Sequence, residues 1–288
     1  MKSARIIVVI ITSLLCYVSN AQVYLGYKLE CGSTFKIQQK SDQTILQHID
    51  GFEQEIVNHL ETIVEFKVLK ERADGYEIAM QFKDIKMQVE TAVMNETIST
   101  TEDNSIFKGL LNYPIKMVLK FNGDIANVSG CETLIERMMT AANIEDEFTR
   151  ELMRASLEKD FGPKAISETY KQMTYFYPCE KVLINDSWHT VTSGISKMDN
   201  TWKLVSVDDR KAILSANGVV DMNLQKSGVT MKLSGSQKSY LVANAYTGLL
   251  QELTIEGIAS GSSHIEMDEG GKNIPTTITS KIKYNLIN

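Results

Sequence analysis

The stretch that decides the fold is GCETLIERMMTAANIEDEFTRELMRASLEKDFGPKAISETYKQMTYFYP, residues 130–178. Its apolar residues recur with the rhythm of amphipathic helices, and the spacing predicts three of them. In the first, Leu134, Ile135, Met138, Met139 and Ala142 share one face. Glu132 sits in its first turn, where a carboxylate suits the positive end of the helix dipole. The second is expected to start at Asn143 as N-cap, with Glu145, Asp146 and Glu147 behind it. Its inward face would be Ile144, Phe148, Leu152 and Ala155, and Gly162-Pro163 would end it. The third carries Ile166, Tyr170, Met173 and Tyr177 and stops at Pro178. Each helix must lay its apolar face on something, and the flanking sequence supplies the partner.

On both sides of this stretch the pattern switches from period 3.6 to period 2. Thr34–Gln38, Val64–Val68 and Ile115–Lys120 alternate before it; Trp188–Thr192, Trp202–Val207, Val229–Leu233 and Gln251–Ile255 alternate after it. Alternation marks strands with one buried and one wet face. Asp74-Gly75, Asn122-Gly123, Ala216-Asn217-Gly218 and Thr247-Gly248 read as turns, and the last strand is expected from Thr276 to Leu286. The fold class is thus α+β and mainly antiparallel β, with a first β half (22–130), a helical insert (131–178) and a second β half (179–288).

The two halves match in order. Cys31-Gly32-Ser33-Thr34-Phe35 parallels Asn185-Asp186-Ser187-Trp188, and Glu65-Phe66-Lys67-Val68 parallels Thr201-Trp202-Lys203-Leu204. Phe121-Asn122-Gly123-Asp124-Ile125 parallels Tyr246-Thr247-Gly248-Leu249-Leu250. The reading is a duplicated, curved, half-barrel-like sheet with the helices inserted between the copies.

At the N-terminus, Lys2 and Arg5 precede an apolar run from Ile6 to Val18, and Ser19-Asn20-Ala21 offers a small-x-small cleavage site. Residues 1–21 therefore read as a secretory signal peptide cut near Ala21, and the mature chain as periplasmic or extracellular. Leu15 before Cys16 is not the small residue that a lipidation signal wants. Removing the leader takes two basic residues from 30 and leaves 36 acidic ones, so the net charge of −6 becomes −8. That balance argues against nucleic acid, whose phosphates demand clustered Lys and Arg. No later run is long enough for a transmembrane helix.

Three cysteines remain. Cys131 and Cys179 stand at the ends of the helical stretch and are the candidate disulfide, worth ~4 kcal/mol on the chain-entropy argument; three free thiols is the other reading. Cys31 would be left over.

Tyr175-Phe176-Tyr177-Pro178, Asn185-Asp186-Ser187-Trp188, the Met-rich helices before them and the Gly26–Phe35 opening resemble an exported Bacteroidota envelope family known only as a domain of unknown function. Asn185 stands where that family commonly has glycine. The resemblance implies export and a fold, and supplies no catalytic residues. A duplicated curved sheet under helices is also similar, at the level of fold, to periplasmic lipoprotein carriers.

Chemistry is scarce in the sequence. His48, His59, His189 and His264 lie at no metal-ligand spacing, there is no CxxC, no Gly-x-Ser-x-Gly elbow and no phosphate-cradling glycine loop. No metal and no cofactor is expected. The leading expectation is non-enzymatic binding of an apolar ligand, a lipid or lipoprotein acyl chain, between sheet and helices. The residues singled out to line it are Met138, Met139, Phe148, Leu152, Tyr170 and Met173. The alternative is a structural or protein–protein interaction module of the envelope. If the chain were an enzyme, hydrolysis is the class that compartment makes most natural.

Overall fold

The computed structural model describes residues 22–93, 96–101, 105–194, 196–226, 229–266 and 271–287. The leader reading, residues 1–21, lies outside them. In chain order the elements begin with β1 (Val23–Tyr24), β2 (Thr34–Ile49), β3 (Phe52–Arg72), β4 (Gly75–Val93) and β5 (Glu96–Thr101). Next come α1 (Ser105–Leu110), β6 (Ile115–Lys120), β7 (Ile125–Ser129), α2 (Cys131–Ala142), α3 (Glu147–Phe161) and α4 (Pro163–Lys171). The chain closes with β8 (Lys181–Val182), β9 (Ser187–Thr192), β10 (Ser196–Val207), β11 (Lys211–Lys226), β12 (Val229–Asn244), β13 (Leu250–Ile265) and β14 (Lys272–Ile287).

One 12-stranded antiparallel sheet carries almost everything, in the order β7-β6-β4-β3-β2-β14-β13-β12-β11-β10-β9, with β5 on the far part of β4. Two meanders, one from each half of the chain, meet where β2 pairs with β14. A small β1–β8 ribbon ties the N-terminus to the start of the second meander.

The helices pack on one face of this sheet. Leu134, Ile135, Met138 and Met139 of α2 and Ile166 and Tyr170 of α4 join Val64, Phe66, Ile78, Met80 and Met117 from the first meander. Trp188, Trp202, Leu204, Leu214, Leu241 and Leu253 come to the same core from the second. The opposite face is wet and laced with charge pairs such as Lys40–Glu61 and Lys281–Glu256.

Four sequence expectations are corrected. Asn143 does not start α3: it closes α2 in the left-handed region (φ 50°), and Asp146 is the N-cap, accepting from Thr149 N at 2.7 Å. An acceptor one turn later wins because its carboxylate reaches the free N–H groups of the first turn. Of the two sides of α3 it is the one with Leu157, opposite Phe148 at about 100° per residue, that is buried, and Phe148 and Leu152 face outward. Finally, Ala216-Asn217-Gly218 is not a turn but lies inside β11, and α1 stands where only strands were expected.

The two meanders repeat one another's hydrogen bonds. At the first entry turn Gly32 N donates to Val68 O, Val68 N to Ser33 O and Ser33 N to Glu30 O. At the second, Asn185 N donates to Leu204 O, Leu204 N to Asp186 O and Asp186 N to Leu183 O. Gly32 (φ 85°) and Asn185 (φ 78°) occupy the same left-handed position, which explains why asparagine replaces glycine there. Beyond each turn an aromatic pair faces across the strands, Phe35 opposite Phe66 and Trp188 opposite Trp202.

Candidate functional site

Directly opposed residues in an antiparallel ladder point to the same face, so the register allows the helix-side face to be followed row by row. Under the helices runs an apolar row: Leu204, Leu214, Leu241, Leu253 and Tyr284. Two residues farther along each strand comes Trp188, Trp202, Ala216, Ser239, Ile255 and Ile282. The main core ends there.

The next row is polar or small all the way across: Thr190, Asn200, Gly218, Gln237, Gly257 and Ser280, continuing to Gln43 and Asn58. Buried amides need partners, and this row supplies them internally. Gln237 Nε2 donates to Asn200 Oδ1 at 2.8 Å, and Asn58 Nδ2 donates to Gln43 Oε1 at 3.2 Å. Gly218 lies between the first two, and a Cβ there would come within 2.2 Å of Asn200 Oδ1. Glycine at this point makes room for the amide pair.

Beyond the polar row the face turns apolar again: Met198, Val220, Gly235, Ala259, Ile278 and Ile45, ending on Ile56, with Thr192 at the other end. A second hydrophobic cluster is centred here on Leu233, Ala259 and Ile278, with Ile45, Met222 and Met231 packed against it; no helical residue belongs to it.

Two clefts open beside the helical layer. One, of about 750 Å³, lies between α1 and the middles of β2, β3 and β4, with Ser41, Leu60, Ile85, Met87, Phe107 and Leu111 among its walls. The other, of about 730 Å³, lies between the α3–α4 junction and the strands β9, β10 and β11, and Thr192, Ser196, Met198 and Leu224 line its sheet side. Among the described residues two buried side-chain oxygens lack a hydrogen-bond partner, Thr62 Oγ1 and Thr192 Oγ1. The first neighbours the α1 cleft through its cross-strand partner Ile85; the second lines the α3–α4 cleft.

The six residues singled out from the sequence do not converge on a cavity. Met138, Met139, Tyr170 and Met173 are core side chains, with Tyr170 edge-on to Phe66 at 6.2 Å and Phe82 at 6.4 Å. Burial pushes the Tyr170 and Tyr177 hydroxyls well above the ordinary tyrosine range. Phe148 and Leu152 are 69% and 58% exposed on the outer side of α3. Beneath the helices lies a void of about 20 Å³, walled by Phe35, Phe66, Ile78 and Met173 among others.

Of the two cysteine readings, the structure has the free-thiol one: Cys31, Cys131 and Cys179 are unbridged. Cys131 is buried at the start of α2, where desolvation raises its pKa; Cys179 sits in a left-handed turn (φ 56°) and is engaged by the Tyr24 hydroxyl. Among the described residues no group of three or more His, Cys, Asp or Glu could hold a metal, and no helix is long and apolar enough to cross a membrane. His59 pairs with Asp42 and His189 with Asp199, both on the exposed face.

What the sequence reasoning missed is the polar row and the two orphan hydroxyls. The available signal was a polar residue at an inward-facing position of an alternating strand, as with Asn200 between Met198 and Trp202.

Among solved structures, a lipovitellin structure concerned with lipid–protein interactions aligns over 91% of this chain at 9% identity with a TM-score of 0.52. The chain spans 26% of that protein, so the likeness is one of fold over a part of it. An outer membrane channel from Pseudomonas putida F1 and the translocator domain of the autotransporter NalP from Neisseria meningitidis also align, at 7% identity each over 91% and 89% of this chain and 97% and 89% of theirs, with TM-scores of only 0.21 and 0.23. Comparison with curated proteins finds no match. A family model does match, over residues 73–250, more than half of the sequence and parts of both meanders. The chain belongs to the family of unknown function DUF6263.

Proposed function

We propose that this is an exported envelope protein, periplasmic or extracellular, that binds an apolar ligand without catalysis: a lipid, or the acyl chain of a lipoprotein. The site is the apolar part of the helix-side face that the helices leave uncovered, not the layer beneath them. The observation that carries the reading is the second apolar cluster, Leu233, Ala259 and Ile278 with Ile45, Met222 and Met231, cut off from the core by the polar row. Leu233, Ala259 and Ile278 are buried there without help from any helix, while Ile45, Met222 and Met231 around them stay partly exposed, so an apolar ligand laid on these three would complete a cover that the helices do not provide. The lipovitellin-like fold is compatible with the reading. The repeated entry turns, with the same three hydrogen bonds and the same facing aromatic pair, support an internal duplication of a half-barrel-like meander as the origin of so wide a sheet.

A second reading rests on α3. Phe148 and Leu152, one helical turn apart and both exposed, form an apolar spot suited to another envelope protein. Native mass spectrometry of the protein purified from its own envelope separates the two. Co-purifying lipid at one molecule per chain is expected; a lipid-free chain in a stable complex that dissolves with Phe148→Ser would favour the partner instead.

A further inference from the structure

The α3–α4 cleft has a feature that a purely greasy groove lacks. Thr192 is 4% exposed, its Oγ1 has no hydrogen-bond partner among the described residues, and it lines the cleft. A hydroxyl kept dry and unpaired costs stability unless something bonds to it. Thr192 also opposes Met198, the next residue of the apolar row, so the cleft opens onto one end of that row. From Met198 on β10 the row continues through Val220, Gly235, Ala259, Ile278 and Ile45 to Ile56 on β3. At the usual strand spacing these seven strands span about 29 Å, against ~15 Å for one leaflet of a bilayer's hydrocarbon core. Val220, Gly235, Ile45 and Ile56 are partly exposed along it, with Met198, Ala259 and Ile278 buried among them.

The charges at the cleft do not favour an anion. Glu158, Asp160 and Glu168 outnumber Lys159 and Lys164, and Glu168 is already engaged by Ser193 N (3.1 Å) and Lys171 Nζ (3.2 Å). The rest of the polar lining is uncharged: Thr169, Gln172, Ser193, Ser196, Asn223 and Gln225. Hydroxyls and amides of this kind recognise neutral hydroxyl or ester oxygens. Resting on the apolar-ligand reading above, we propose that the cleft holds the uncharged, hydroxyl-bearing head of a single-chain lipid of the monoacylglycerol class, with Thr192 Oγ1 bonded to the head and the chain laid along the Met198–Ile56 row.

The test is calorimetric titration of the full mature chain with 1-lauroylglycerol and, separately, with dodecanoate. One 1-lauroylglycerol per chain is expected, with dodecanoate weaker. Thr192→Val, which keeps the side-chain shape, should weaken 1-lauroylglycerol binding ~3–10-fold, the loss of one hydrogen bond, while leaving the unliganded protein at least as heat-stable as before. Val220→Asn should weaken both lipids. Equal binding of the two lipids with no effect of Thr192→Val overturns the head-group assignment while leaving the apolar site standing. Failure of both lipids to bind overturns the assignment together with the reading beneath it.

Discussion

The near and far parts of one sheet face differ in what covers them. Near the Gly123 and Gly248 turns, α2 and α4 press methionines and tyrosines onto leucines and tryptophans from both meanders, and the space is filled. On the far part the same strands go on, still apolar on the same face, with a cluster that includes no helical residue. Alternation is unchanged across the boundary, so strand chemistry alone does not mark it. The polar row does: it caps the core with amides that satisfy one another, and sets what lies beyond it apart. The difference teaches that one β-face can build two separate apolar clusters, only the nearer of them with the helices.

The largest expected contrast is in stability. Leu214→Ala, in the filled part, should cost about 4 kcal/mol, whereas Ile278→Ala, in the far cluster, should cost about 2 kcal/mol, because a site beside partly exposed side chains can collapse further around the truncation. Chemical denaturation of the two variants reads the gap, and equal losses would erase the distinction. The boundary itself comes next. Gln237→Met leaves Asn200 Oδ1 buried without its donor and should destabilise by about 1–2 kcal/mol; the double variant with Asn200→Leu should recover part of that loss.

A smaller effect lies at the near end, where Asp124 bonds Lys120 (2.7 Å) and Lys171 (3.1 Å). Burial alone would raise the Asp124 carboxyl, but the two lysines outweigh it and hold its pKa below the ordinary carboxylate value. A carboxyl lowered by folding stabilises above its unfolded pKa and loses that contribution as pH falls through the folded one. Asp124→Asn should therefore cost about 1 kcal/mol at neutral pH, after solvent screening, and the gap from wild type should close as pH falls below roughly 4. A gap independent of pH would mean that charge is not the cause. The smallest effect is at the thiols: any shift in melting temperature from Cys131→Ser should be the same with and without reductant. A shift confined to oxidising conditions would restore the staple between Cys131 and Cys179.

Much of this architecture could be read from the sequence, because periodicity reports which face is wet. The paired landmarks Phe35 and Trp188, Phe66 and Trp202, Gly123 and Gly248 all fall at matching places in the two meanders. The errors have local physical causes. Asn143 and Asp146 are both good capping residues three positions apart, and separately the larger apolar side of α3, Phe148 and Leu152, is the exposed one, because Leu157 on the opposite side is what reaches the core. Gly218 looked like a turn residue, yet it is there because a side chain would collide with an amide pair contributed by other strands. Such pairs, and the hydroxyls of Thr62 and Thr192, depend on cross-strand register, which no single strand encodes. The candidate binding face was invisible for the same reason: it is a row of single residues taken from seven strands.

The most direct test of the account is cross-linking with a photoactivatable acyl lipid, followed by mapping of the labelled residues. The account predicts labels on Ile45, Met222, Met231, Val220 and Ile278, on the far part of the sheet. Labels on Met138, Met139 or Met173 beneath the helices would contradict it.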